Sequence, residues 1–547
     1  MIDNMRNNKL DKGNKIYEWI MVAILGVYFG YFYLFKLPQN WLGGMDGYFY
    51  GLMIKNYIYN DALTALDGVS PLNYPPYYFY LLGKAGRVLG IFDIGVLNFL
   101  GLFISYVVFL IYSYKLLNYK NLTKSPLLAI ILLFSMSGLG YGGIHIWQKS
   151  HEIIALTGVI GLIVYIRNFL SNINMSKSIR LLIGASVGFS IGSYTPFLIT
   201  PLAVFGCLLI FNKIISSKSN EKFDFYFWIG LISLASPYAV TLLINLLTND
   251  HGIGVVTWFL YSDLQFNFLS LDYRNISYHI SVALSVFVLL CVLLKIIGYQ
   301  TQFNFELFDV YLSVVIIASL AVYSIIVLLT KVGYYFTAPF KYILLVPIFG
   351  AFLVIKIFGG FLGKLINYRF TILSILSFIL FLVLRNIYFS DIKQSIILSD
   401  ARNKNLSQLV TVINQKKGND WNAYIGSHEA RFLDFYVIKN FVNKLPFNHS
   451  YASVYEDIPS RINQLNEIAN VDSGADLLIK KLHHLGVDVL ILADEEGEFF
   501  NIDCSVNDAD RMEIPKKVKI KKSHLMELLD LEKLKFYKHD QYSIYYF

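Results

Sequence analysis

Three short polar groupings stand at the edges of long apolar stretches, and each holds side chains able to do chemistry. The first is Asp46, within Asn40-Trp41-Leu42-Gly43-Gly44-Met45-Asp46-Gly47-Tyr48, between two glycine-containing dipeptides. A carboxylate at the edge of an apolar layer is partly desolvated, which raises its pKa and makes it a better base. The same residue can instead cap a helix beginning near Gly47, since Asp is a favoured N-cap. The two roles are compatible, because a capped loop also holds the carboxylate still. The second grouping is Trp147-Gln148-Lys149-Ser150-His151-Glu152, with His145 one helical turn before Lys149. Lys149 and His151 can bind a phosphate, with Glu152 orienting one of them. Polar side chains snorkelling from helix ends are the plainer alternative. The third is Lys331-Val332-Gly333-Tyr334-Tyr335-Phe336, followed by Pro339-Phe340-Lys341. Lys331 and Lys341 bracket a short turn where a cation suits a lipid phosphate. Tyr334 and Tyr335 can stack on a sugar or line a prenyl groove, or the set can simply anchor helices at an interface. Arg274 and His279, flanking another apolar stretch, are further candidates.

The elements that must position these residues are read from composition. Of 547 residues, 56% are hydrophobic and only 15% charged, against roughly a quarter charged in average soluble proteins. That excludes a soluble globular enzyme, a nucleic-acid binder and a disordered chain. The apolar surplus lies between residue 17 and about residue 390. The expected architecture is a polytopic α-helical membrane module over 1–390 and a small soluble α/β domain over 391–547. Spans of roughly 20 apolar residues are expected at 17–37, 94–114, 127–147, 152–170, 225–247, 277–298, 308–330, 340–357 and 370–389. The stretch 181–212, interrupted by Ser193-Tyr194-Thr195-Pro196, reads as two short helices with a turn near 194–197. That makes about eleven transmembrane helices. The first is expected to be a retained helix rather than a signal peptide.

Lysine and arginine fall in alternate loops: Arg6 to Lys15, Lys115 to Lys124, Arg167 to Arg180, Lys213 to Lys222, and Lys356 to Arg369. By the positive-inside rule these loops and the N-terminus are cytoplasmic. The odd number of spans then puts the C-terminal domain on the outer side, with loops 38–93, 249–276 and 331–339. The net charge of +8 is thus a matter of orientation. In the first outer loop, 47–60 and 77–90 read as interfacial helices, the second started by Pro76 and the first placing Tyr48, Tyr57 and Tyr59 near headgroup depth. In the tail, 402–416 is amphipathic, Ala423-Tyr424-Ile425-Gly426 reads as a strand, and 474–485 as a helix. Gly486 to Leu492 and Tyr542 to Phe547 read as further strands. Cys207, Cys291 and Cys504 form no disulfide framework or metal site, and the first two read as small hydrophobes. His483-His484 lacks a third ligand, and no Walker loop or dinucleotide fingerprint occurs.

Together these features resemble the GT-C superfamily of membrane glycosyltransferases, which use sugars linked to polyprenyl phosphate. The resemblance rests on Met45-Asp46-Gly47 in a long first outer loop, two interfacial helices there, many spans, and a soluble outer domain. More narrowly, the chain looks like the arabinofuranosyltransferase branch, whose members act in mycobacterial cell-wall synthesis and pilin glycosylation. Tyr74-Pro75-Pro76-Tyr77, Lys149-Ser150-His151-Glu152 and Gly333-Tyr334-Tyr335-Phe336-Thr337 carry that likeness. Many GT-C enzymes have two adjacent acidic residues in the first loop, whereas Asp46 has none nearer than Asp61 and Asp67. That departure speaks against a two-carboxylate or metal-bound site.

The resemblance implies an inverting transfer at the outer face of a bacterial inner membrane. The donor is a polyprenyl-phosphate sugar, D-arabinofuranose for this branch, and the acceptor a glycan or protein hydroxyl. Asp46 is the implied base. Lys149, His151, Glu152, Lys331 and Lys341 are the implied donor-phosphate group, and Tyr74, Tyr334, Tyr335 and Arg274 line the site. No cofactor is required; a divalent metal is possible but unsupported by the sequence. Two other classes compete. A lipid-linked sugar or polysaccharide transporter or flippase would show internal repeats and mid-membrane charge. An O-antigen-type ligase or polymerase would carry its large polar loop between late spans, whereas here the long loop is the first.

Overall fold

The structure is a computed structural model. It describes residues 45–59, 61, 76–118, 150–215, 224–248, 276–299, 303, 305–331, 340–362, 404, 408–418, 423–426, 475–484, 488–493, 499–503, 517–539 and 542–546. Two helices come first, α1 (Met45–Tyr59) and α2 (Tyr77–Leu89). Long apolar helices follow: α3 (Ile94–Asn118), α4 (Ser150–Leu170), α5 (Lys177–Tyr194), α6 (Pro196–Ile215), α7 (Phe225–Thr248), α8 (Ile276–Ile296) and α9 (Leu307–Lys331). The short α10 (Phe340–Ile343) leads into α11 (Leu345–Leu362).

Among the described residues, four helices are long and apolar enough to cross a membrane, within α3, α4, α8 and α9. Shorter apolar helices lie within α6, α7 and α11. The expected helices at 94–114, 152–170, 225–247, 277–298 and 308–330 are all present with slightly different ends. The expected spans 17–37, 127–147 and 370–389 lie outside the described residues.

The split near residue 195 has a simple cause. Pro196 has no N–H to donate and suits the first turn of a new helix, so α5 stops at Tyr194 and α6 starts at Pro196. Thr195 keeps helical angles (φ −53°, ψ −41°), so the chain passes from one helix directly into the other. The break between α10 and α11 follows the same logic. Pro347 meets the carbonyl four residues earlier, at Ile343, where α10 ends, so the single helix expected over 340–357 is divided at Leu344.

Glycine spacing sets how closely the helices approach. Gly184, Gly188 and Gly192 recur every four residues and so share one face of α5. A Cβ on Gly184 would strike the Phe227 carbonyl of α7, and one on Gly188 the Leu231 carbonyl. Gly230 returns the contact against the Leu181 carbonyl of α5. Small residues at this spacing let helix backbones touch, the usual device where lipid supplies no hydrophobic drive. On another side of α5, Gly158 of α4 lies against Ser190. A second group comprises α8, α9 and α11, with Gly350 of α11 against Ser281 of α8. The Tyr311 hydroxyl of α9 donates to the Pro201 carbonyl of α6 (3.1 Å), joining the two groups.

The tail builds a small mixed sheet. Its strands are β1 (Ala423–Gly426), β2 (Val489–Ala493), β3 (Phe499–Asp503), β4 (Lys517–Lys521), β5 (Lys535–His539) and β6 (Tyr542–Tyr546). The four-stranded sheet has the order β1-β2-β6-β5, with β1 parallel to β2 and the other pairs antiparallel. Val489 to Leu492 are fully buried, as expected of an unbroken apolar strand. Helices α12 (Ala475–His484) and α13 (Lys522–Asp530) pack together. The expected strands at 423–426, 486–492 and 542–547 and the helix at 474–485 are present with slightly different ends. Leu409, Val410 and Ile413 bury one face of the helical stretch 408–417. The hairpin of β3 with β4 is an addition. Cys291 is buried, whereas Cys207 is exposed on α6 and does not act as the packed small hydrophobe expected.

Candidate functional site

The N-terminus of α4 is where side chains from α1, α2 and α5 meet. His151 and Glu152 lie in its first turn and are both buried, at 0% and 1% exposure. The His151 ring sits inside an aromatic box. Its centroid lies 4.4 Å from Tyr50 of α1, 5.1 Å from Phe79 and 6.4 Å from Tyr78 of α2, and 5.4 Å from Tyr194 at the end of α5. Four helices therefore meet around one imidazole. Tyr50 also stacks on Phe79 at 5.2 Å, and Tyr194 packs edge-on to Phe197 of α6 at 4.6 Å. The Glu152 carboxylate stands at the positive end of the α4 dipole, which favours an anion there.

Helices α1 and α2 form a braced pair. They cross at Gly83, where a Cβ would meet the Ile54 carbonyl and the Tyr57 side chain. Tyr57 and Tyr80 pack edge-on at 5.4 Å. Asp61, just past α1, accepts hydrogen bonds from Lys84 and from Arg87 (3.1 Å) of α2. The Lys84 hydrogen bond, then the Lys84 and Arg87 charges, hold the Asp61 carboxyl below the usual aspartate range. Tyr57 is fully buried by this pairing and not presented to a headgroup layer, and its phenol is pushed up by burial and then by Tyr80. Tyr59 is exposed. Lys55 and Asn56 are buried on the same helix.

Of the candidate site residues, His151 and Glu152 stand together in the first turn of α4, and Asp46 is placed by its backbone alone, in the first turn of α1. Asp46 is part of α1 rather than a cap ahead of Gly47. It stands one helical turn before Tyr50, the residue that touches His151. Lys149 immediately precedes α4 and, with Tyr74, Tyr334, Tyr335 and Arg274, lies outside the described residues. Lys331 ends α9 and Lys341 is the second residue of α10. Helix α10 packs on both α9 and α6, and α6 begins two residues after Tyr194. Sequence reasoning missed Tyr50, Tyr78, Phe79 and Tyr194 as partners of His151. Among the described residues no three His, Cys, Asp or Glu side chains converge to hold a metal ion.

No family model and no curated protein matches the sequence. Among solved structures, ArnT from Cupriavidus metallidurans bound to undecaprenyl phosphate matches with a TM-score of 0.53 and 10% identity, covering 96% of this chain and 97% of that one. The likeness is one of fold. It runs nearly the length of both chains. The Archaeoglobus fulgidus oligosaccharyltransferase also matches. Tethered to an acceptor peptide it gives a TM-score of 0.47 at 12% identity, covering 87% of this chain and 69% of that one. In complex with an inhibitory peptide and a dolichol-phosphate it gives 0.43 at 13%, covering 88% and 70%. These two scores are too low to carry an argument.

Proposed function

We propose that the chain is an integral membrane glycosyltransferase that moves a sugar from a polyprenyl-phosphate donor to a hydroxyl acceptor. The observation that carries this reading is the fold likeness, over 96% of the chain, to an ArnT structure that holds undecaprenyl phosphate. The contact of Tyr50 with His151 supports it, because it joins the helix bearing Asp46 to the helix that follows Lys149. In this reading the acceptor hydroxyl gives its proton to Asp46 and attacks the anomeric carbon. The bond from that carbon to the lipid phosphate breaks, with inversion. Lys149, Lys331, Lys341 and Arg274 stabilise the charge gathering on the departing phosphate. Tyr74, Tyr334 and Tyr335 line the sugar and prenyl path. His151 and Glu152, buried in the first turn of α4, belong to the same donor-phosphate group in this reading and hold the start of α4 so that Lys149 is presented to the phosphate.

The finer reading takes the donor sugar as D-arabinofuranose and the acceptor as a cell-envelope glycan or a protein. It takes the reaction to the outer face of a bacterial inner membrane, with 391–547 as a domain on that side. Purified protein incubated with synthetic prenyl-phosphate pentoses and hexoses and a panel of acceptors tests all of this. Release of prenyl phosphate coupled to a new glycoside is expected. Intact donor with every acceptor, together with passage of a labelled lipid-linked sugar across proteoliposomes, would replace the transferase by a transporter.

A further inference from the structure

Tyr77 opens α2 and does something its neighbours do not. Its hydroxyl accepts a hydrogen bond from the backbone N–H of Tyr238 in α7, at 2.9 Å. In an unbroken helix that N–H belongs to the carbonyl four residues back. Pro237, immediately before it, disturbs the ladder at this point, which makes the N–H available to a partner outside the helix. The Tyr77 ring lies over Gly192 of α5, where any Cβ would collide with it. Phe189 lies 6.0 Å away and the Tyr238 ring, edge-on, 6.5 Å away. One side chain thus pins the start of α2 to both α5 and α7. The next two residues are Tyr78 and Phe79, which form part of the box around His151. Because α1 and α2 are braced to each other at Gly83 and Asp61, fixing the start of α2 also fixes α1.

We infer that Tyr77 is a positioning residue: the Tyr77–Tyr238 hydrogen bond sets the α1–α2 pair, and with it Asp46, against the start of α4. This rests on the proposed transferase reading only for its catalytic consequence. The structural half stands by itself. Tyr77 touches no reacting atom in this scheme. A hydroxyl held by an amide donor in a half-buried site is worth a modest but decisive bias between a seated and an unseated α2.

The test compares Tyr77→Phe, Pro237→Ala and the double variant in the full chain. Phenylalanine keeps the ring over Gly192 and removes only the acceptor; alanine lets α7 reclaim the N–H. Hydrogen–deuterium exchange is expected to speed up about fivefold in 45–59 and 77–89 for either single variant, with no further gain in the double, while 150–170 is unchanged. For transfer, kcat per folded molecule is expected to fall about tenfold while the KM for the lipid donor shifts less than twofold. Unchanged exchange in α1 and α2, or equal loosening of α4, would overturn the inference. So would normal kcat in Tyr77→Phe. Wild-type protein that transfers no sugar would instead overturn the transferase reading, leaving the exchange result to judge Tyr77 alone.

Discussion

At the C-terminal end of α4, Tyr165 and Arg167 meet carboxylates that other helices bring to them; at its N-terminal end, His151 meets aromatic rings. The Tyr165 hydroxyl donates to Asp224 (3.2 Å), and Arg180 pairs with the same carboxylate at 3.3 Å. Asp224 also accepts from the Phe227 N–H (3.4 Å), capping α7, while Tyr165 stacks flat on Phe227 at 3.8 Å. Beside it, Asp309 accepts from the Glu306 N–H (2.8 Å) at the start of α9, and Lys356 of α11 pairs with Glu306 at 3.1 Å. Arg167 faces both of these carboxylates. Asp224 thus has Arg180 at hand, Glu306 has Lys356, and Arg167 serves Glu306 and Asp309; only Asp224 and Asp309 are buried enough to demand a partner. The aromatic end is organised by shape, with rings from α1, α2 and α5 closing on His151. One end is a staple complete within the protein. The other end gathers the helices on which the Asp46 and Lys149 motifs lie.

If that contrast is sound, the largest effect on chemistry comes from the aromatic end. Asp46→Asn is expected to lower transfer by about two to four orders of magnitude, the usual worth of a positioned base. The thermal midpoint should stay within a degree or two, because amide and carboxylate differ little in size. Full activity in this variant, measured as kcat/KM, would take Asp46 out of the mechanism. The opposite signature is expected at the staple. Arg180→Ala leaves the Asp224 carboxylate, whose side chain is only 8% exposed, without its cation. A loss of about 2 kcal/mol of stability follows from removing one charged partner. Transfer per folded molecule should be unchanged. Unfolding followed in denaturant and activity normalised to folded protein decide this, and lost activity without lost stability would dissolve the division between the ends.

Much of this division was readable beforehand, and the unread part has a physical reason. The Ser193 to Pro196 break, the strand in Val489 to Leu492 and the two helices before Ile94 follow from proline chemistry and local periodicity. The basic residues Arg167, Arg180 and Lys356 were visible as loop charges, but not their carboxylate partners, because Asp224 and Asp309 pair with them across helices. The His151 box is assembled from residues 50, 78, 79, 151 and 194, separations that no local pattern encodes. The Gly184-Gly188-Gly192 repeat is in plain view in the sequence; it lets α5 approach α7 closely, and its last glycine seats the Tyr77 ring of α2 near the end of α5. Its role is not legible locally, because only the partner backbone packed against those glycines reveals it.

A smaller effect is expected just ahead of the box. Lys149→Ala should raise the KM for the lipid donor about tenfold, near 1.4 kcal/mol, if this cation meets the donor phosphate. Donor kinetics equal to wild type would return Lys149 to a helix-end anchor. High salt should blunt the difference, since the phosphate contact is partly screened.

The smallest effect concerns the brace that couples α1 to α2. Asp61 is 79% exposed as a side chain, so its pairing with Lys84 and Arg87 is screened by water and adds little to stability at neutral pH. Its direction is nonetheless fixed. The folded carboxyl titrates below its unfolded value, because Lys84 and then Arg87 favour the charged form. The pair therefore contributes above the unfolded aspartate pKa of about 4, and the contribution is lost as pH falls through the lower folded value. Asp61→Asn should match the wild type in strong acid, fall slightly behind it as pH rises through the lowered folded value, and keep a constant gap above about 4. The gap should close in about 1 M salt. Thermal midpoints of the two proteins from about pH 2 to pH 6 measure this. A gap that instead widens in acid would mean that the aspartate is held by something other than these two cations.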